Sequence, residues 1–321
     1  MKDFRIVFMG TPEFAVSTLG ALIMNGYNVT GVVTSPDKPS GRGRKLTRSA
    51  VKEFAEFHDL PVIQPDNLKN PEFIEKLKAM NADMFIVVAF RMLPELVWRI
   101  PEYGTMNLHA SLLPHYRGAA PINHAIINGE SSTGVTTFLI DEKIDTGKIL
   151  LREEVQIFPF ENAGDLQKRL MILGARLVIK TLEGLAEKKL NPQPQSSFIK
   201  PGEIPKPAPK IFPEDCIINW NNEALQIHNL IRGLAPYPCA RSFFRSGDKI
   251  ISFKIFESLP EIAEHEFSPG SISTDGKNYL KISCKKGFVN IISLQAEGKN
   301  RMETQEFLRG FKIESYTIPV S

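Results

Sequence analysis

An amide and an imidazole stand two residues apart at Asn107 and His109, heading the stretch NLHASLLPHYRG. On an extended backbone, side chains with that spacing leave the same face. A primary amide and a protonated imidazole both donate hydrogen bonds. Two donors converging on one point make a site for a carbonyl oxygen that turns negative during a reaction. Spacing alone equally allows two ordinary polar groups at a strand end. A third group shifts the balance. The stretch TTFLIDEKIDTGKILL places Asp141 and Asp145 in an acidic loop between two apolar, strand-like runs. A carboxylate there would orient the His109 ring and favour its protonated, donating form. The plainer alternative is a solvated hairpin turn.

Such groups need a scaffold. Strand-like runs at 4–9, 28–34, 84–89, 104–109 and 134–140 alternate with helical stretches at about 12–25, 47–59, 71–80 and 161–188. Thr11 reads as the N-cap of the first helix, with Pro12 in its first turn. Leu166, Leu170, Leu173 and Leu177 recur at helical spacing in the last. The alternation predicts an α/β fold, a mostly parallel sheet with helices on both faces. Asn107 and His109 then fall at the end of a strand, where open α/β sheets bind ligands.

Between 191 and 213 there are seven prolines, which exclude a helix or a central strand and read as an extended linker. Beyond it the chain turns β-rich, at 249–256, 277–284 and 288–294, after one short helix at 223–234. A small barrel of OB type fits that pattern. The predicted organisation is a catalytic domain at 1–190, a proline-rich linker at 191–210 and a C-terminal domain at 211–321.

Composition sets the bounds. The chain has 321 residues, 42% hydrophobic and 23% charged, enough for two domains with cores. No apolar run reaches the roughly 18–20 residues of a membrane span. The opening MKDFRIVFMG reads as a first strand, not a signal peptide. Three cysteines, Cys216, Cys239 and Cys284, form no Cys-x-x-Cys pair. They read as structural thiols in a reducing cytoplasm, with no disulfide framework and no zinc site. Of the other histidines, His58 and His265 read as surface, and His115, His124 and His228 show no metal-ligand spacing. The GTPE turn after the first strand lacks the dinucleotide fingerprint, since Pro12 and Ala15 stand where glycines are needed. A Walker loop is absent too.

Net charge is +3, and the residues from 211 onward carry thirteen basic and thirteen acidic side chains. The segment SPDKPSGRGRKLTRSAVK is different. It holds Lys38, Arg42, Arg44, Lys45, Arg48 and Lys52 against Asp37 alone. Its prolines and glycines predict a flexible loop. Its charge suits phosphates as well as it suits a solvated face.

Taken together, Asn107-x-His109, the following SLLP and Gly118, and Asp145 after a GVTT strand resemble the folate-dependent formyltransferases. GTPEFAV, PDKPSGRGRKL, RGLAPYPCA at 232–240 and a second domain behind a proline-rich linker are similar to the branch that acts on tRNA. The likeness runs over essentially the whole chain. It implies a Rossmann-like catalytic domain and an OB-like C-terminal domain that helps hold tRNA. It implies that 10-formyltetrahydrofolate donates a formyl group to the amine of initiator methionyl-tRNA, for translation initiation in the cytoplasm, on a monomer that needs neither metal nor membrane. Asn107, His109 and Asp145 would be catalytic. Ser111, Leu112, Leu113, Pro114, Phe90 and Asp141 would border the folate, and Lys38, Arg42, Arg44 and Lys45 would meet the tRNA. The family pattern has a Tyr and often a Gly where this chain has Phe90 and Arg91. A nucleotide-sugar formyltransferase, a glycinamide ribonucleotide formyltransferase, a formylfolate hydrolase and a non-catalytic RNA-binding protein are the competing readings.

Overall fold

The computed structural model describes residues 4–40, 45–313 and 316–318. It divides into two compact units. The first takes Met1–Gly118, Thr133–Val155 and Gln167–Ala208; the second takes Ala119–Ser132, Gln156–Leu166 and Pro209–Ser321.

The elements run in the order β1 (Arg5–Gly10), α1 (Glu13–Met24), β2 (Asn28–Val33), β3 (Lys38–Ser40), β4 (Lys45–Thr47), α2 (Ala50–Phe57), β5 (Val62–Ile63), α3 (Pro71–Ala79), β6 (Met84–Val88), α4 (Glu95–Trp98), β7 (Thr105–His109), α5 (Pro121–Ile127), β8 (Ser132–Leu139), β9 (Ile149–Gln156) and α6 (Ala163–Ala186). The large sheet of the first unit has the order β5-β2-β1-β6-β7-β8-β9. Strands β5, β2, β1, β6 and β7 are parallel, and β8 runs antiparallel to β7. The order departs in opposite directions from β1, toward β2 on one side and β6 on the other. In such sheets ligands bind beyond the carboxyl ends of the strands near that switch.

Sequence explains the layers. β6, MFIVV, is buried at every position, as a central strand covered on both faces must be. α1 turns Phe14, Ala15, Thr18, Leu19 and Leu22 inward, a single helical face. A Cβ at Gly10 would stand 2.6 Å from that of Ala15, so glycine lets helix and strand meet. Thr11 does not cap α1. Pro12 holds the cap position, and the Thr11 hydroxyl bonds that of Ser35 at 3.0 Å instead.

The basic segment read as a flexible loop contains an antiparallel ribbon, β3 on β4. Pairing through Thr47 delays the next helix, which begins at Ala50 with Ser49 accepting from the Lys52 N–H at 3.0 Å. The proline-rich segment is not extended throughout: Gln195–Phe198, a proline-free run between Pro194 and Pro201, forms a short 3-10 helix, and the part up to Ala208 belongs to the first unit. Gln193 pairs with Ile149, and Pro207 with Arg117.

The second unit adds α7 (Ala224–Leu234), β10 (Ala240–Ser246), β11 (Lys249–Glu261), β12 (Ile272–Thr274), β13 (Leu280–Ser283), β14 (Phe288–Ala296), β15 (Met302–Glu303) and α8 (Thr304–Gly310). Its antiparallel sheet has the order β10-β11-β14-β13-β12, with β15 on β14. The core gathers Trp220, Phe244, Phe253, Ile282 and Leu294 beneath α7. Glu223 and Gln226 form a capping box at the start of α7. Among the described residues, no helix is long and apolar enough to cross a membrane.

Candidate active site

β7 carries the amide and the imidazole. Asn107 lies between Val87 on β6 and Phe138 on β8, and His109 lies opposite Thr136. Both leave the same face of the strand, two residues apart. Asn107 is half-buried, and among the described residues its amide has no hydrogen-bond partner. His109 is buried, 6% exposed.

The turn after β7 is locked from below. The Thr136 hydroxyl donates to the Ser111 carbonyl at 2.6 Å and accepts from the Leu113 N–H at 3.1 Å. Ser111 donates its own hydroxyl to the His115 carbonyl at 2.7 Å. The turn then brings Tyr116, in the left-handed region at φ 61°, back over the imidazole. His109 Nε2 donates to the Tyr116 carbonyl at 2.8 Å.

The carboxylate comes from the loop between β8 and β9. Asp145 Oδ2 stands 3.7 Å from His109 Nδ1 and accepts from the Gly118 N–H at 2.9 Å. Nε2 must carry a hydrogen to meet a carbonyl, and Nδ1 is drawn to the carboxylate when it carries one as well. The three residues read from sequence thus share one locality: Asp145 faces His109, and Asn107 is one step back along the same strand face.

Asp145 is in the left-handed region at φ 54°, which costs a non-glycine residue about 1–3 kcal/mol unless its surroundings hold it. A buried amide does so. Gln195, 4% exposed, donates from Nε2 to the carbonyls of Asp145 at 2.8 Å and Gly147 at 2.9 Å. Its Oε1 accepts from Arg117 Nε at 3.0 Å and Nη2 at 2.6 Å. Gly147 is required there, since a Cβ would stand 1.6 Å from the Leu139 carbonyl oxygen. The same proline-rich segment grips the 111–118 turn elsewhere. The Tyr116 N–H donates to the Lys206 carbonyl, the Ala208 N–H donates to the Arg117 carbonyl at 2.8 Å, and Glu203 pairs with His115 at 3.2 Å. Tyr116, Arg117 and Thr136 lie inside stretches that stand out in the sequence but take no role from it, and Gln195 lies outside them. A lone glutamine among prolines carries no pattern that announces its burial.

The residues expected around the folate separate by exposure. Ser111, Leu113 and Pro114 are buried and build the turn; Leu113 packs with Phe138 and Ile149. Leu112 is half-buried over Gly134, where a Cβ would stand 2.5 Å from it. Phe90 packs against the core beside β6, and the Arg91 guanidinium lies 5.6 Å over its ring. Arg91 donates to the Asp66 carbonyl at 2.9 Å and to that of Pro65, and burial lowers its pKa. These bonds seat the side chain that departs from the family pattern. A cavity of about 460 Å³ beside it is lined by Asp66, Leu68, Lys69, Arg91, Met92 and Glu95, among others. Asp141 is exposed and closes its own loop, accepting from the Lys143 N–H at 3.1 Å and the Thr146 hydroxyl at 2.6 Å.

Of the cations expected at tRNA, Lys38 is exposed on β3. Lys45 opens β4, with its side chain outside the described residues, as are Arg42 and Arg44 altogether. Two further cations of the segment are engaged. Arg48 pairs with Glu56, and Lys52 with Asp37 at 2.7 Å. Lys52, then the Gln64 amide, holds the Asp37 carboxyl below the usual carboxylate range.

A mostly parallel sheet brings two donors and a carboxylate–imidazole pair together at its strand ends, an arrangement that can serve group transfer, and comparison with known proteins places the chain in a family. Residues 4–182 match the formyl transferase family, and residues 210–312 match the formyl transferase C-terminal domain. The chain belongs to the formyl transferase family. It is 51% identical over 315 residues to the methionyl-tRNA formyltransferase of Bacteroides fragilis, covering 97% of this chain and 96% of that protein. It is 50% identical over 310 residues to the methionyl-tRNA formyltransferase of Flavobacterium johnsoniae, covering 97% of each. Among solved structures it resembles HypX from Aquifex aeolicus in complex with tetrahydrofolic acid, at TM-score 0.63 and 18% identity, over 97% of this chain and 48% of that one. It also resembles an N-formyltransferase from Helicobacter canadensis in complex with folinic acid and dTDP-3-aminofucose, at TM-score 0.63 and 20% identity, over 90% and 98%. At those identities the structures speak for the fold alone.

Proposed function

We propose that this chain transfers the formyl group of 10-formyltetrahydrofolate to the free amine of initiator methionyl-tRNA, with Asn107, His109 and Asp145 as its catalytic residues. The observation that carries the reading is the half-exposed, unpartnered Asn107 amide one strand step from an imidazole that faces a carboxylate at 3.7 Å. Near-full-length identity of about half to proteins named methionyl-tRNA formyltransferase supports the acceptor.

The folate supplies an activated one-carbon unit at the carbonyl level. As the amine attacks, the formyl oxygen gains charge, and the Asn107 amide donates to it. His109 joins by exchanging its bond to the Tyr116 carbonyl for one to that oxygen. Asp145 steadies the imidazole and helps remove the proton that the amine sheds on forming its new C–N bond; as the oxyanion collapses back to a carbonyl, the formyl C–N10 bond breaks and N10 of the departing tetrahydrofolate takes up that proton. An esterified amino acid lacks its α-carboxylate, so its amine has a pKa at or below the ordinary α-amino value of about 7.7–8.0. A sizeable neutral fraction is therefore present near neutral pH, and catalysis is chiefly positioning and charge stabilisation.

Backbone edges at 89–92, 111–114 and 141–145 are the proposed folate contacts. The exposed residues Ala89, Met92, Asp141 and Ile144 leave that rim open. Lys38, Arg42, Arg44 and Lys45 are the proposed phosphate contacts. The deciding experiment compares formyl transfer to charged initiator tRNA, charged elongator tRNA, an amino-sugar nucleotide and no acceptor. Transfer to the charged initiator tRNA is expected. Equal or faster transfer to the sugar nucleotide, or formate release without acceptor, overturns the reading.

A further inference from the structure

We propose that Gln195 is a positioning residue for formyl transfer, acting through the backbone of Asp145. The inference rests on the reading of Asp145 and His109 given above. Four bonds meet at one buried amide: two given to the carbonyls of Asp145 and Gly147, two taken from Arg117. The orientation of the amide is set by its partners. Reversed, its oxygen would face two carbonyls and its NH₂ a guanidinium, and all four pairings would repel.

The Gln195 side chain is therefore a junction between two loops that hold the candidate catalytic pair. On one side the 145–147 loop presents the carboxylate from a left-handed backbone at φ 54°. On the other, Arg117 is flanked by the two residues that touch the pair: Tyr116, whose carbonyl accepts from His109, and Gly118, whose N–H donates to Asp145. Gln195 ties the chain on both sides of the 3.7 Å gap between imidazole and carboxylate. Loss of the amide leaves the part-buried Asp145 carbonyl and the buried Gly147 carbonyl without it. It also removes what opposes relaxation of the strained φ. A shift of the carboxylate by about 1 Å costs about 10²-fold in rate.

The side-chain chemistry makes a selective test. Gln195→Met fills the volume and removes every bond. Gln195→Glu keeps the acceptor for Arg117 but sets a carboxylate oxygen against two carbonyls. Gln195→Asn is too short to bridge both loops. Full-length wild type, the three variants, Asp145→Asn and Gln195→Met/Asp145→Asn are assayed with 10-formyltetrahydrofolate and charged initiator tRNA. Rates are normalised to folded protein by thermal melting and circular dichroism.

All three Gln195 variants should lower kcat about 10²-fold, with KM for both substrates within about threefold. The pH profile of kcat should change shape, and the double variant should be no slower than Asp145→Asn alone. A merely structural role predicts lowered melting temperature with kcat per folded molecule unchanged, and that result overturns the proposal. So does a loss confined to KM, or full additivity in the double variant. If Asp145→Asn is inactive while Gln195→Met and Gln195→Glu turn over like wild type, the Gln195 inference alone fails. If Asp145→Asn itself turns over like wild type, the reading beneath it fails.

Discussion

The acidic loop at 141–147 and the basic strand pair β3–β4 belong to the same unit and follow strands of the same sheet, yet they are built by opposite means. Asp145 is held by its carboxylate, through Gly118, and by its carbonyl, through Gln195, in a strained backbone next to an obligatory glycine. Lys38 stands exposed on a three-residue strand. A group that must meet a developing charge within a fraction of an ångström needs buried, directional bonds. A cation that meets a phosphate through water and counterions needs only to remain available. The basic segment also shows the cost of neighbours: Arg48 and Lys52 are already paired with carboxylates of their own surroundings.

The contrast can be broken by mutation. Asn107→Ala should give the largest loss, about 10²–10³ in kcat, or about 2.7–4 kcal/mol, as for one missing oxyanion donor. Saturation kinetics with both substrates checks it, and near-normal turnover would remove Asn107 from the mechanism. Next, His109→Ala combined with Asp145→Asn should lose about as much as the worse single variant, because the pair acts as a unit. Losses that multiply would separate the two residues.

The basic segment should answer differently. Arg42→Ala/Lys45→Ala should raise KM for tRNA and leave kcat within about threefold. The slope of log binding against log salt should flatten by about 0.9 for each phosphate that the variant no longer neutralises. An unchanged slope would show that these side chains do not meet phosphate. An equal rise in KM with a short aminoacyl ester would point the same way.

The smallest expected effect lies in the second unit. His228 is buried on α7, 4% exposed, with Nδ1 bonded to the Ser258 hydroxyl at 3.1 Å. Burial, then the Arg232 charge, lowers its pKa from 6.5. Above pH about 6.5 the ring is neutral in both folded and unfolded chains, so it adds no pH dependence. Below that, the unfolded chain binds the proton first, and stability falls toward the lowered folded pKa. His228→Gln should flatten the fall of denaturant-derived stability between pH 7 and pH 5. A wild-type slope retained in the variant would assign it elsewhere.

Much of this was legible in the sequence because periodicity and residue chemistry are local. The apolar runs of β1, β6 and β7 and the inward face of α6 announce an α/β sheet, and Asn107-x-His109 falls at a strand end as spacing requires. Asp145 was legible as an acidic group in a tight loop. Thr11 misled, because its hydroxyl found Ser35, twenty-four residues on, rather than the helix it precedes. The pairing of β3 with β4 was hidden by glycines and prolines that also suit a loop. Gln195 was invisible for a different reason. Its partners, Arg117 and Asp145, lie 78 and 50 residues away, and no window along the chain contains all three.

The docked stretch from Gln193 to Ala208 also decides where the chain can be cut. A fragment stopped at 190, where the last helix of the sheet has ended, would keep every strand of the first unit and both members of the imidazole–carboxylate pair. It would nonetheless leave His115, Arg117 and the carbonyl of residue 145 without the groups that hold them. Proteolysis within 193–208 should accordingly silence formyl transfer before it unfolds the sheet, and a self-sufficient N-terminal piece must extend through Ala208.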